Sequence, residues 1–184
     1  MVPNVLVPVA DGIEELEAVT IIDVLRRAGV QVTVASVGTL QVTASRGVKL
    51  VADMQIECCK DKDYAGIVLP GGMPGAEHLR DSAILIELLK AQHRQGKLYA
   101  AICASPVVVL LHHGLLPKKA TCHPAFVDRL PDAKVAQQRV VVDENCITSR
   151  GPGTAIEFAI ELVRQLLGDK KAAQVAEPML AVFC

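Results

Sequence analysis

The sequence predicts an α/β fold, with an open and mostly parallel sheet covered by helices on both faces. The apolar run 5–9 lacks the alternation of a half-exposed strand, which is typical of a strand buried on both faces, and further strands are predicted at 30–37, 64–69 and 98–102. A segment with helical periodicity follows the first run, so strand, helix and strand succeed one another between Val5 and Val37. Such a βαβ unit requires parallel strands joined by a right-handed crossover.

The remaining elements are predicted from apolar spacing and from the residues at their ends. In the first helix, Glu14 to Arg27, acidic residues occupy the first turn, arginines occupy the last, and Gly29 follows as a stop signal. Further helices are predicted at 82–93, 105–113, 151–167 and 170–176. A hairpin is predicted within 41–52, and an antiparallel strand pair is predicted at 139–142 and 146–149.

The composition favours one domain over residues 1–184. The chain is 51% hydrophobic but only 3% aromatic, so its core is aliphatic and disorder is excluded. Its 19 basic and 20 acidic residues give a net charge of −1, without the basic surplus that nucleic acid or an anionic membrane would require. The uncharged run 98–111 is shorter than a membrane-spanning helix, and residues 1–7 do not resemble a secretory signal. We therefore expect a cytoplasmic protein that binds neither nucleic acid nor membranes.

Cys103 is the first candidate for chemistry, because it stands where the strand 98–102 stops and a helix begins. Its small neighbours Ala104 and Ser105 permit a sharp strand-to-helix turn, the geometry of a nucleophile elbow. The start of the helix adds partial positive charge, so we expect a lowered pKa and a reactive thiolate. A small buried hydrophobic residue is the alternative, and the local sequence does not decide between the two.

Two further groups are placed at the same edge of the sheet. Gly71 and Gly72 follow a strand within 70–75, a segment predicted as an irregular loop, and their N–H groups are suited to stabilising an oxyanion. Neither a phosphate-binding loop nor a dinucleotide fingerprint is present there. Glu17 lies on the side of its helix that faces the top of the sheet, where its carboxyl could reach Cys103 and carry protons.

The other five cysteines do not form a recognisable site. They occupy positions 58, 59, 122, 146 and 184, without a C-x-x-C pair, and the histidines match no common metal spacing. We therefore expect no metal and no cofactor.

Six motifs occur in order along the chain: DGIEELE at 11–17, DVLRRAG at 23–29, SRG at 45–47, VLPGG at 68–72, AICA at 101–104 and TSRGPGT at 148–154. Together they resemble the ThiJ/PfpI superfamily, in the branch of the Parkinson-disease-associated protein deglycase and bacterial YajL. The likeness runs from about Asn4 to the last helix. It implies a flavodoxin-like three-layer sandwich with a mostly parallel central sheet.

The resemblance also assigns roles to individual residues. It implies Cys103 as the oxidation-prone nucleophile, Glu17 and His123 as the conserved carboxylate and histidine of the site, and Gly72 and Ala104 as backbone donors. It further implies a homodimer formed through the first helix. The arginines that match Arg27 and Arg46 would lie near the site and bind anions or substrate, with one or both arriving from the partner.

Two departures from the family pattern stand beside Cys103. Ser105 replaces the usual glycine, where its hydroxyl could cap the helix or enter the pocket. The protease-like members place a histidine directly after the nucleophile, and Ala104 at this position argues against peptidase activity.

The resemblance implies a cofactor-independent glyoxalase and protein deglycase, active in carbonyl and oxidative stress. Its substrates would be methylglyoxal, glyoxal or their early adducts on proteins, bound to Cys103 as a hemithioacetal. The alternative is a non-catalytic redox sensor or stress chaperone, in which Cys103 is oxidised to the sulfinic acid. A glutamine amidotransferase is disfavoured, because no histidine of the chain is followed two residues later by glutamate.

Overall fold

The computed structural model describes residues 2–132 and 134–181, which contain nine strands and five α-helices. The strands are β1 Asn4–Val9, β2 Gln31–Ser36, β3 Gln41–Thr43, β4 Lys49–Val51, β5 Met54–Gln55, β6 Gly66–Leu69, β7 Leu98–Ile102, β8 Val140–Asp143 and β9 Cys146–Ser149. The helices are α1 Glu15–Arg27, α2 Gly75–Asp81, α3 Ala83–Arg94, α4 Ala155–Leu167 and α5 Asp169–Ala176. A π-helical segment spans Pro106–Leu111, and short 3₁₀ turns span Ile56–Cys59, Pro124–Arg129, Val135–Gln137 and Pro152–Thr154.

Seven strands form the central sheet in the order β5-β2-β1-β6-β7-β9-β8. All neighbours in it are parallel except β8, which pairs antiparallel with β9, while β3 and β4 form a separate hairpin. Apolar layers cover both faces of the sheet, and successive side chains of β1 alternate between them. The α/β flavodoxin-like class is confirmed.

Helix α1 forms as its end residues predict, and it positions one wall of the site. Glu14 caps it by accepting a hydrogen bond from the Leu16 N–H, and arginines occupy its last turn. One face, including Ile21 and Val24, is buried between the sheet and α4. Leu16 and Val19 on the other face stay 52% and 47% exposed.

One prediction around the site is wrong, and a second needs a more specific description. The loop predicted over 70–75 ends at Pro74, and Gly75 already begins α2. A Cβ on Gly75 would lie 2.3 Å from the backbone nitrogen of Ile13, so glycine is what allows the start of this helix to pack so closely against Ile13. The helix predicted over 105–113 is present between Pro106 and Leu111, where it has the π-helical form. The three consecutive valines at 107–109 disfavour an α-helical turn, because β-branched side chains crowd the turn before them.

A membrane-spanning helix requires a minimum length and hydropathy. Within 2–132 and 134–181, none of the helices is long and apolar enough to cross a bilayer.

Candidate active site

Cys103 lies in a sharp turn directly after β7. Its φ of 65° falls in the left-handed region, which non-glycine residues adopt rarely and at a cost of about 1–3 kcal/mol. Two backbone hydrogen bonds hold the turn, from the Cys103 N–H to the Ser149 carbonyl (3.0 Å) and from the His123 N–H to the Cys103 carbonyl (2.8 Å). This strained strand-to-helix turn presents the thiol at the carboxyl edge of the sheet, as expected of a nucleophile elbow.

The carboxyl group of Glu17 faces this thiol. Glu17 is fully buried, and its Oε2 accepts a 2.8 Å hydrogen bond from the Gly71 N–H. Among the described residues, no nitrogen or oxygen atom hydrogen-bonds Oε1, while the thiol of Cys103 lies against the carboxyl. The structure therefore brings Glu17 and Cys103 together, although 86 positions separate them in the chain.

Glycines allow the loop after β6 to approach the elbow. A Cβ on Gly71 would lie 2.6 Å from the Cβ of Cys103, and a Cβ on Gly72 would lie 2.3 Å from the Glu14 nitrogen. The N–H groups of Gly72 and Ala104 both lie at the sulfur of Cys103. These donors surround the position where an oxyanion would form on an adduct of the thiol.

Burial sets the protonation of the pair. Desolvation, with a smaller contribution from the charge of Glu14, raises the pKa of Glu17 from 4.5 to about 7. Desolvation and then the negative charge of Glu17 raise the pKa of Cys103 to about 12, although the Gly72 and Ala104 N–H groups act in the opposite direction. The expectation of a lowered thiol pKa is therefore wrong for the single chain. An ionised Cys103 and an ionised Glu17 in contact would repel each other. A thiolate therefore forms by transfer of the Cys103 proton to Glu17.

Gly151 lies between His123 and the carboxyl group of Glu17. A Cβ on Gly151 would lie 3.6 Å from the His123 ring and 4.0 Å from Oε1 of Glu17. The ring is half-buried, and its Nδ1 accepts a 3.2 Å hydrogen bond from the Ala125 N–H. A side chain at position 151 would thus contact both His123 and Glu17.

Comparison with known proteins identifies the family of this chain. The model of the DJ-1/PfpI family matches residues 3–165. The chain belongs to the DJ-1/PfpI family. This confirms the resemblance seen in the six sequence motifs.

Individual relatives cover nearly the whole chain. Protein DJ-1 homolog B of Arabidopsis thaliana is 51% identical over 180 residues, which are 97% of this chain. The chain spans only 41% of that protein and 46% of DJ-1 homolog A from the same plant. A Caenorhabditis elegans protein named glutathione-independent glyoxalase DJR-1.2 is 38% identical over 95% of this chain and 94% of its own length.

A solved structure gives the same fold. The DJ-1 of Toxoplasma gondii, in a structure described as oxidized, superposes with a TM-score of 0.95 at 50% identity. The superposition covers 98% of this chain and 100% of that one.

The two arginines expected near the site lie apart from the elbow in the single chain. Arg27 is ten residues beyond Glu17, about 15 Å along the helix axis, and its Nε donates to Asp23 at 2.6 Å. Arg46 lies in the exposed turn of the β3–β4 hairpin, where its backbone N–H donates to Glu15. That one or both of them reach Cys103 from a second subunit stays a prediction.

Ser105 does not cap the helix that follows the elbow. Its side chain is fully buried, and its hydroxyl donates a 2.6 Å hydrogen bond to the Pro70 carbonyl. The capping expectation is therefore wrong, and a contact between this hydroxyl and substrate stays a prediction.

The remaining cysteines do not contact the Glu17–Cys103 pair through any hydrogen bond among the described residues, although the Cys122 thiol donates to the His123 carbonyl. Cys58 is exposed, Cys59, Cys122 and Cys146 are buried, and Cys184 lies outside the described residues. In the described part of the chain, no group of three or more histidine, cysteine or acidic residues is placed to hold a metal ion.

The sequence assigned Gly71 a different partner and did not single out Gly151. Gly71 was grouped with Gly72 as an oxyanion donor, but its N–H donates to Glu17. Gly151 lies in the TSRGPGT motif, which signals the family but does not show which residue faces the pocket.

The close packing at Gly72 gives a first prediction. Gly72→Ala should lower the free energy of unfolding by about 3 kcal/mol or more, because φ is +89° and the new Cβ would meet backbone atoms at 2.3 to 2.7 Å. Urea unfolding measures this change. Gly38→Ala is the matched control, since its Cβ meets no atom within 4 Å. Equal stability of the two variants would contradict the packing described here.

Proposed function

We propose that this chain is a cofactor-independent glyoxalase, converting methylglyoxal to lactate and glyoxal to glycolate. The observation that carries the proposal is the buried Glu17–Cys103 pair at the elbow, with the N–H groups of Gly72 and Ala104 at the sulfur. The C. elegans relative named as a glutathione-independent glyoxalase supports the same reaction class.

The reaction begins with proton transfer from Cys103 to Glu17, after which the thiolate adds to the aldehyde carbon. The Gly72 and Ala104 N–H groups stabilise the resulting oxyanion, which takes up a proton to give the hemithioacetal. Glu17 or His123 then removes the proton on the former aldehyde carbon, and the neighbouring carbonyl carbon gains a proton. This internal transfer oxidises one carbon and reduces the other, so no external oxidant is needed.

The product of that transfer is a thioester on Cys103. Water attacks its carbonyl carbon, the C–S bond breaks and the hydroxy acid leaves, which restores the thiol. Early adducts of the same aldehydes on protein amines carry an equivalent carbon, so deglycation by this route is part of the proposal. In that case the amine is released when the thiol takes its place.

The test is turnover of methylglyoxal by the purified protein without glutathione. We expect lactate to form at a rate proportional to protein concentration and to exceed the amount of protein many times. Loss of methylglyoxal without lactate, or lactate equal at most to the protein present, would overturn the proposal.

A redox sensor or stress chaperone is the second candidate. The Oε1 atom of Glu17 has no nitrogen or oxygen partner among the described residues, and it lies where a protonated carboxyl would donate to an oxygen on the sulfur. The relative from T. gondii has been solved in an oxidized form. If mild peroxide adds two oxygen atoms to Cys103, as measured by mass spectrometry, and no lactate forms in the turnover assay, this function is favoured over the glyoxalase.

We further propose that two copies of the chain form a homodimer through α1. Its exposed face carries Leu16 and Val19, and Val48 and Val51 near the adjacent hairpin are also exposed. Light scattering coupled to size exclusion measures the mass. A Leu16→Glu variant should shift the mass from dimer to monomer, and a monomeric wild type would overturn the proposal.

A further inference from the structure

Ser105 and Glu17 are joined by hydrogen bonds to one peptide unit. The Ser105 hydroxyl donates to the Pro70 carbonyl at 2.6 Å. The N–H of the same peptide, which belongs to Gly71, donates to Oε2 of Glu17 at 2.8 Å. Both side chains are fully buried, so water does not compete for either hydrogen bond.

The hydrogen bond from Ser105 strengthens the one to Glu17, because both involve the same peptide unit. A hydrogen bond donated to a carbonyl polarises the peptide and makes its N–H a stronger donor. The ionised carboxyl gains more from such a donor than the neutral acid does, because charge-assisted hydrogen bonds are the stronger ones. Rotation of the peptide would break both bonds together, so they also fix the position of the carboxyl beside Cys103.

We propose that Ser105 is a positioning residue that acts through the Pro70–Gly71 peptide to hold the Glu17 carboxyl and to favour its ionised form. This rests on the proposed function, in which Glu17 accepts the proton of Cys103. Ser105 thus holds the carboxylate where it can accept the proton of Cys103. It also lowers the affinity of the carboxylate for that proton.

Other groups that face Glu17 act independently of Ser105. Cys103 faces it from the elbow, Glu14 adds negative charge from the start of the helix, and His123 lies on the other side of Gly151. The test therefore uses a chain in which the thiol is absent, Cys103→Ala, so that Glu17 titrates without its main partner.

The experiment follows the carboxyl band of Glu17 by infrared difference spectroscopy over pH, with Glu17→Gln to assign the band. In the Cys103→Ala background, Ser105→Ala should raise the midpoint by about half a pH unit, about a threefold gain in proton affinity. Ser105→Thr, which keeps the hydroxyl, should restore the original midpoint. Threonine adds a methyl group at this buried position, whereas alanine adds no atom. The Ser105→Ala variant alone is therefore sufficient for the test if Ser105→Thr does not fold.

Thr121→Val is the matched control, because the buried Thr121 hydroxyl also donates to a backbone carbonyl, that of Ala136, at 2.8 Å. An unshifted midpoint in Ser105→Ala, or an equal shift in Thr121→Val, would overturn the role of Ser105. This readout does not depend on turnover. Absence of lactate formation would overturn the glyoxalase and leave the titration result standing.

Discussion

Replacing Cys103 by alanine is expected to lower the rate of lactate formation from methylglyoxal at least about a thousandfold. The substitution removes the atom that adds to the aldehyde carbon, and the backbone donors then have no bound oxyanion to stabilise. The protein should still fold, since the substitution removes one sulfur atom from a side chain that is 9% exposed and leaves only a small cavity. The measurement compares initial rates of wild type and variant at equal protein concentration.

The control is a second buried cysteine outside the site. Cys122 is fully buried, and its thiol donates to the His123 carbonyl at 3.4 Å. Cys122→Ala therefore also removes a buried sulfur, but it leaves the Glu17–Cys103 pair in place. We expect its rate to stay within about threefold of wild type. A Cys103→Ala variant as active as Cys122→Ala would refute the covalent mechanism.

The central sheet was predictable from sequence because its strands carry a strong local signal. In β1 the residues from Val5 to Val9 are buried on both sides of the strand, and this is what an apolar run without alternation indicates. Because a helix with clear ends connects one strand to the next, the strands that it joins are expected to be parallel and the crossover to be right-handed. The same logic placed Cys103 at the end of β7, where small neighbours permit a turn.

The start of α2 and the π-helical segment were not predictable in this way. Gly75 looks like part of a glycine-rich loop, but its contact with Ile13, sixty-two residues earlier, lets a helix begin there. Around Pro106 the spacing of apolar residues suits a helix of either kind, and only the packed structure shows which hydrogen bonds form. Both differences arise from tertiary contacts that a local pattern does not contain.

The same limit applies to the chemistry of the site. The sequence suggested that Glu17 could reach Cys103, but it gave no sign that Gly71 would hold the carboxyl from fifty-four positions away. A helix start beside Cys103 suggested a lowered thiol pKa. Burial and the nearby charge of Glu17 reverse that direction in the single chain, because desolvation depends on how deeply the fold encloses both groups.

The second large effect is a pH dependence of stability that belongs to Glu17. Its folded-state pKa of about 7 lies above the ordinary 4.5, so the folded chain holds a proton that the unfolded chain releases. Stability from this group is complete below pH 4.5, declines as the pH rises, and is lost above about pH 7. A shift of this size corresponds to about 3 kcal/mol in the free energy of unfolding.

Glu17→Gln should remove this dependence, because the amide keeps the shape and the acceptor for the Gly71 N–H but cannot ionise. Urea unfolding of both proteins at several pH values isolates the contribution, since titrations that they share cancel in the difference. Relative to wild type, the variant should gain about 3 kcal/mol between pH 4.5 and pH 7, while its lactate formation falls about a hundredfold. Glu177→Gln, at an exposed position, controls for the loss of a carboxylate. A stability difference that is flat across this range would show that Glu17 is ionised in the folded protein throughout, with its charge held by more than the Gly71 hydrogen bond.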